Sequence, residues 1–374
     1  MRPFLSPEEE AFREEVRAFL AAHADVRSFF AHEGQADVDQ RRLYRALGAR
    51  NWLAIAWPPE AGGLGMPPVY EFILWDEMAY ARAARPPIGS GIVAKTIIAH
   101  GTDEQRERFL PGLRTGELFF SLGYSEPEAG SDLGGLRTRA VRDGDRYVVN
   151  GEKRWTSAAH RADFLWLLCR TGTLESRARG LTLLIVDRHS PGITISPIPA
   201  IDGERFNEVR FDDVDVPVEN RVGEENGAWK MIVDSLATER HVQFSPKRVR
   251  RDFEELVAWV REVGLVEDPV VRHHLAGLAV EVAEVEALTL EMLQAVQDGR
   301  SAVVEAAANK LWGSEVCQRI ARLATELGAP EALVRDTELE FLWRQTMSET
   351  IGGGTSEIMR GLIARNALGL AAKT

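Results

Sequence analysis

The chain has 374 residues, 45% of them hydrophobic and 27% charged, and a formal net charge of −12. This is the composition of a folded globular protein large enough for more than one core layer. Its acidic balance argues against nucleic acid and anionic membrane surfaces as partners. No apolar run approaches the roughly 20 residues needed to span a bilayer, and the N-terminus turns acidic at Glu8-Glu9-Glu10 without a signal-like apolar core. Cys169 and Cys317 are too isolated for a disulfide framework or a metal-ligand spacing. A cytoplasmic protein without a metal site is expected.

Residues 6–110 read as helices. Ser6-Pro7-Glu8-Glu9 is a start signal, a Ser cap followed by Pro in the first turn and Glu at the capping-box position. Phe12, Val16, Phe19 and Leu20 then recur at helical spacing. The segment from Asn51 to Pro68 is broken by prolines and glycines and reads as a loop, with Trp52 and Trp57 as core anchors. Helices are expected from Tyr70 to Arg82 and from Pro87 to His100. Thr102-Asp103-Glu104-Gln105 forms a second capping box, opening a short helix expected to stop near Pro111-Gly112.

From Phe119 to about Gly223 the pattern changes to short alternating runs. Tyr147–Val149, Phe164–Leu168, Leu181–Val186, Ile193–Ile195 and Glu208–Phe211 are strand candidates, with hairpin turns at Asp143-Gly144-Asp145 and Asn150-Gly151. An antiparallel barrel or sandwich is expected here. After Asn226-Gly227 the helical period returns. The resulting reading is an α+β chain of three parts: helical over 1–117, β over 118–225 and helical over 226–374.

The stretch from Gly123 to Gly135, Gly-Tyr-Ser-Glu-Pro-Glu-Ala-Gly-Ser-Asp-Leu-Gly-Gly, carries the chemistry. Glycines allow a ligand to approach the backbone, and the serines add short donors. It lacks the Lys-Ser/Thr ending of a Walker loop and the GxGxxG spacing of a dinucleotide fold. Alone it reads as a solvated surface loop. It gains meaning beside the apolar run Leu118–Leu122 and the later segment Lys153-Arg154-Trp155-Thr156-Ser157.

Ser125-Glu126-Pro127-Glu128-Ala129-Gly130-Ser131-Asp132 resembles the first signature of the acyl-CoA dehydrogenase family. The resemblance extends from the Gly-Thr-x-Glu-Gln-x-Glu-x-Phe-Leu-Pro pattern at 101–111 to Gly-Gly-Thr-Ser-Glu-Ile-Met-Arg at 353–360. It implies the family's three-part fold, with FAD held across the sheet domain. By match to the motif, Tyr124 and Ser125 contact the flavin ring, and Gly130 and Ser131 lie at its pyrophosphate and substrate side. Trp155 would pack on the isoalloxazine, with the Ser157 hydroxyl near N5. By itself Trp155 reads as a core residue of the β domain. Thr355 and Glu357 match positions that touch the flavin and its adenosine side, and Thr355 is also a plausible helix cap.

The family removes an α-proton from an acyl-CoA thioester with a carboxylate while a β-hydride passes to the flavin. Many members place that carboxylate where this chain has Gly353. A smaller group places it on the first helix after the sheet domain, in a Glu-Arg pair that corresponds here to Glu239-Arg240. Glu239 falls on the same helical stripe as Ile232, Ser235 and Leu236, where a carboxylate is costly without a purpose. Glu239 is therefore the candidate base, and Arg240 the candidate substrate-holding neighbour.

Two family segments that reach a neighbouring subunit's FAD are altered. An Arg-x-x-Phe-Gly match is missing from 250–275, and the second loop has shrunk to Glu326-Leu327-Gly328-Ala329-Pro330. Similar losses occur in members that work as mixed-subunit assemblies, so a homodimer or homotetramer and a mixed assembly are both open. The resemblance implies fatty-acid β-oxidation chemistry and an electron-transfer flavoprotein as acceptor. It leaves open the acyl group, whether straight, branched, aromatic or a sterol side chain. Two rival readings are a half-site or non-catalytic subunit, and a flavin monooxygenase or oxidase on the same fold.

Overall fold

The computed structural model describes residues 5–25, 33–233, 245–328, 330, 333, 334 and 337–370, with backbone only at 33–39 and 338. They form two compact units, each discontinuous in sequence. One combines 1–25, 67–85 and 240–374; the other combines 26–66 and 86–239.

The first unit is helical. It contains α1 (Pro7–Ala22), α3 (Pro68–Tyr80), α6 (Pro246–Glu262), α7 (Pro269–Gln297), α8 (Val303–Gly328), α9 (Glu338–Thr346) and α10 (Ser356–Asn366). The Ser6 hydroxyl accepts from Glu9 N at 3.2 Å, and the Glu9 carboxylate accepts from Ser6 N at 2.7 Å, so the expected capping box forms. α1 turns Phe12, Val16 and Phe19 inward. The core of α6–α8 is aliphatic, built from residues such as Leu256, Val260, Val282, Val285, Val316 and Ile320. Burying each such side chain is worth about 1.5–3 kcal/mol.

α3 is apolar on all sides, yet it also buries Asp76 and Glu77. Asp76 accepts from the Ser245 hydroxyl and from Lys247 N, while Glu77 accepts from Arg17 Nε at 3.0 Å and pairs with Lys247. Burial pushes the Asp76 carboxyl up to about 6 despite Lys247 and Ser245.

The second unit packs α2 (Glu33–Ala49), α4 (Ala94–His100) and α5 (Asp103–Thr115) with an eight-stranded sheet. Its strands are β1 (Phe120–Gly123), β2 (Arg139–Asp143), β3 (Arg146–Lys153), β4 (Phe164–Arg170), β5 (Leu181–Asp187), β6 (Ile193–Pro199), β7 (Arg205–Pro217) and β8 (Arg221–Val222). The order is β6-β7-β3-β2-β4-β5-β8, with β1 also against β4. All five strand candidates fall inside strands. The sheet is mixed, however, rather than wholly antiparallel. β1 runs parallel to β4 from Phe120↔Phe164 to Gly123↔Leu167, and β2 meets β4 in parallel at Arg139↔Arg170. The chain between β1 and β4 is long enough to carry the β2–β3 hairpin, and it returns in the same direction, as a parallel pairing requires.

Three local expectations change. Gly144, at φ +63°, closes the β2–β3 hairpin, but Asn150-Gly151 is a bulge inside β3, where the register with β7 shifts. Gly151 has φ +147°, and a Cβ there would stand 2.6 Å from Thr138 Cα, so the chain needs glycine for a close backbone approach. α5 continues through Pro111 to Thr115 and ends on Gly116 at φ +73°. A proline in the last turn removes one ladder bond, which the αL cap tolerates. The Pro87–His100 segment opens with a wide turn over Gly89–Val93, in which Val93 N donates to Ile88 O at 3.1 Å, before α4 begins.

Candidate functional site

The glycine-serine loop leaves the end of β1. Glu126 N donates to Ala129 O at 3.0 Å and Ala129 N to Glu126 O at 3.2 Å, closing Pro127-Glu128 into a tight turn. Its underside is ionic. Lys153, at the end of β3, is 0% exposed, and its Nζ donates to Tyr124 O at 2.9 Å and to Glu126 Oε1 at 2.8 Å. Glu126 also accepts from Arg137 N at 2.6 Å and Thr138 N at 2.8 Å. Burial would raise the Glu126 pKa, but the Lys153 ammonium and these donors outweigh it and leave the carboxyl below its ordinary range. Burial likewise depresses the Lys153 pKa, against the pull of Glu126.

The far end of the loop hangs on Arg170 of β4. Its guanidinium donates to Leu136 O at 2.8 Å, Gly134 O at 2.7 Å, Thr173 O at 2.9 Å and Arg177 O at 3.0 Å. Gly130 and Ser131 lie between these anchors and are exposed. A Cβ added at Gly130 would meet nothing within 4 Å, so the backbone there is open to a ligand.

The segment after β3 lies beside the loop. Arg154 N donates to Ser125 O at 2.9 Å, and the Ser121 hydroxyl donates to Ser157 O at 2.6 Å. Buried Asn207 clamps the middle, accepting from Thr156 N and donating to Thr156 O, both at 2.9 Å. Trp155, held at φ +60°, is 53% exposed. Left-handed backbone at a bulky residue is strained and persists only where neighbours impose it. The indole is braced edge-on by Phe206, with ring centroids 6.1 Å apart, and by the Arg154 guanidinium at 5.2 Å. Trp155 is therefore not a core residue. Thr156 Oγ1 is buried and has no hydrogen-bond partner among the described residues.

Tyr124, Ser125, Trp155 and Ser157 thus lie on two adjacent segments joined by the Lys153 and Arg154 contacts. Of these, Trp155 is exposed, Ser125 and Ser157 are half-buried and Tyr124 is buried; an exposed indole with hydroxyls on the neighbouring segments fits a flat heterocycle with polar edges such as a flavin.

In the helical unit, Thr355 caps α10, its hydroxyl accepting from Ile358 N at 3.2 Å. Glu357 is exposed in the first turn. The free amide of its own helix end and the Thr355 hydroxyl hold its carboxyl below the usual range. The preceding turn uses Gly353 and Gly354 at φ +68° and +99°. Beside this helix start is a cleft of about 520 Å³ lined by Gln318, Arg319, Arg322, Thr350 and Thr355. Ser356 also lines it, and its buried hydroxyl has no partner among the described residues. The positive end of a helix dipole with arginines nearby suits an anionic group.

Glu239 and Arg240 lie outside the described residues. The anchors Glu126, Lys153, Arg170 and Asn207 were not predicted as site residues. Glu126 and Lys153 do fall within the quoted motifs, but nothing in the sequence pairs them. Among the described residues there is no cluster of three or more metal-ligating side chains, and no helix is long and apolar enough to cross a membrane.

Sequence models of the acyl-CoA dehydrogenase N-terminal, middle and C-terminal domains match residues 6–117, 121–214 and 226–368. The acyl-CoA dehydrogenase FadE26 of Mycobacterium tuberculosis is 36% identical over 99% of each chain. Among solved structures, the Tcur3481-Tcur3483 steroid ACAD has a TM-score of 0.91 at 33% identity, covering 100% of both chains. The ChsE4-ChsE5 complex from Mycobacterium tuberculosis has a TM-score of 0.90 at 36% identity, again with full coverage.

Proposed function

Because the chain belongs to the acyl-CoA dehydrogenase family, we propose that it binds FAD and converts an acyl-CoA thioester to its trans-2-enoyl form. The cofactor reading is carried by the exposed Trp155 indole, held in strained backbone beside Ser125 and Ser157. When bound, the flavin supplies the acceptor for the β-hydride. Trp155 would wall the ring, Tyr124, Ser125 and Ser157 would set its polar edge, and Gly130 and Ser131 would face its pyrophosphate and the substrate. Thr355 and Glu357 would meet the flavin and its adenosine side.

Glu239 takes the α-proton, and the electron pair left at the α-carbon forms the new double bond as the β-hydrogen departs with its pair. Such a carboxylate needs a desolvated site, and the thioester oxygen needs donors as enolate charge develops. Arg240 holds the substrate. An electron-transfer flavoprotein would serve as the electron acceptor.

Likeness to the steroid ACAD supports a steroid-linked acyl chain as the substrate class. Likeness to the ChsE4-ChsE5 complex supports a mixed-subunit assembly. In such an assembly the partner would supply the FAD contacts that 250–275 and 326–330 of this chain lack. We retain the sequence division at 117 and 225 as part of the same proposal.

The test is anaerobic titration of the purified protein with straight-chain, branched and steroid-linked CoA thioesters while the flavin spectrum is recorded. Bleaching by the steroid-linked thioester is expected, whereas bleaching by straight-chain thioesters alone would remove the substrate assignment. A colourless protein that takes up flavin only with a partner subunit supports the mixed assembly. Glu239→Gln should keep flavin and lose turnover by several orders of magnitude; full activity would end its role as base.

A further inference from the structure

We propose that the ion pair between Arg248 and Glu349 is a positioning device, holding the glycine turn before α10, and with it Thr355, in the shape that receives FAD. The inference rests on the reading of Thr355 as a flavin contact.

The turn is closed by bonds of its own, Gly352 N donating to Ser348 O at 2.9 Å and Ser356 N to Thr350 O at 3.0 Å. These leave Gly353 and Gly354, both at positive φ, without a backbone tether between them, and glycine gives up more backbone freedom on ordering than any other residue. Side chains from outside the turn supply the rest. Two tethers come from α8. Gln318 Nε2 donates to Thr346 O at 3.0 Å and to Thr350 Oγ1 at 3.3 Å, and Lys310 Nζ donates to Gly354 O at 2.6 Å. The third comes from α6, where Arg248 in the first turn pairs with Glu349.

This third tether is charged and largely withdrawn from water, with side chains 19% and 10% exposed. Burial would depress the Arg248 pKa, but the carboxylates of Glu349 and Asp252 outweigh it and leave it raised, so the guanidinium stays charged. Arg248 is anchored in turn by the α6 cap, its N–H donating to the Ser245 hydroxyl at 3.4 Å. Asp252, one turn further along, accepts from Arg82 at 2.9 Å.

A buried ion pair adds little net stability over apolar side chains of the same size, so the role proposed for this one is position and not stability. Displacements of about 1 Å at such positions can cost 10²-fold in rate.

The experiment uses the purified protein, with any partner subunit it needs for flavin, and measures FAD Kd by fluorescence after stripping, alongside thermal unfolding. Arg248→Met alone strands a buried carboxylate and can unfold the chain. The informative variant is Arg248→Met/Glu349→Met, which replaces the pair with apolar bulk. It should melt close to the parent, yet bind FAD at least tenfold more weakly, while Arg248→Lys should stay within threefold of the parent. Should the double variant not fold, Glu349→Gln takes its place under the same criterion.

Thr355→Val is measured in parallel. Weaker FAD binding in Thr355→Val but not in the double variant overturns the positioning role and leaves the Thr355 reading standing. Unchanged binding in both removes the Thr355 reading and the proposal together. Weaker binding in both is the expected result.

Discussion

Replacing Lys153 with Met tests the ionic underside of the loop. The ammonium is fully buried and donates to Glu126 Oε1 at 2.8 Å and Tyr124 O at 2.9 Å. Removing one partner of a buried pair costs about 3–5 kcal/mol. Glu126 would keep its two amide donors, Arg137 N and Thr138 N, which places the loss near the lower end, at about 3 kcal/mol. In a folding unit of roughly 200 residues this corresponds to a drop in melting temperature of about 6–12 °C.

Flavin affinity should fall with it, because the Tyr124 carbonyl loses the donor that seats the loop. Acid sensitivity should also change. The Glu126 pKa is depressed in the folded state, so the stability it contributes is present above the unfolded value of about 4.3 and is lost as pH falls through the folded one. Without the ammonium, the folded pKa rises and acid unfolding begins at higher pH. Circular dichroism melts across pH 3–7 and FAD titration provide the assay. A variant melting within about 2 °C of the parent with parental flavin affinity would refute the reasoning.

Trp155→Ala should cost about 1 kcal/mol or less, since the indole is half exposed. Flavin content after gel filtration should nevertheless fall sharply, and a melting loss without flavin loss would return Trp155 to a structural role. Burial pushes Asp252 up to about 6 against Arg82 and Arg248. The native state therefore holds that proton more tightly than the unfolded chain, whose Asp titrates near 3.9. Stability due to this carboxyl is greatest below about pH 4 and declines as pH rises towards 6. Asp252→Asn should flatten that decline in pH-dependent melts, and an unchanged slope would count against it. Arg170→Lys keeps the charge but cannot reach four carbonyls. It should expose the 133–136 segment to limited proteolysis, and a parental digestion pattern would show that the fork geometry is dispensable.

Short-range chemistry was legible in the sequence. The caps at Ser6, Thr102 and Thr355 form as read, because a cap is decided by residues three apart. The five strand candidates and the helix–sheet–helix order follow from periodicity and hold in the structure. So does the family, because its motifs are contiguous. What depends on distant partners was not legible. The Asn150-Gly151 bulge exists because β3 faces β7 and Thr138, and the parallel β1–β4 pairing depends on where the chain returns. The local signal at Trp155 did not distinguish a core indole from an exposed one; Asn207, 52 residues further on, holds the strained segment that turns it outward. The buried pairs Lys153–Glu126 and Arg248–Glu349 join residues 27 and 101 positions apart. Sequence alone determined which elements form, because their hydrogen bonds are local. Only the tertiary structure decided which charges lose their water together, because desolvation is a property of the packed interior and not of any stretch of chain.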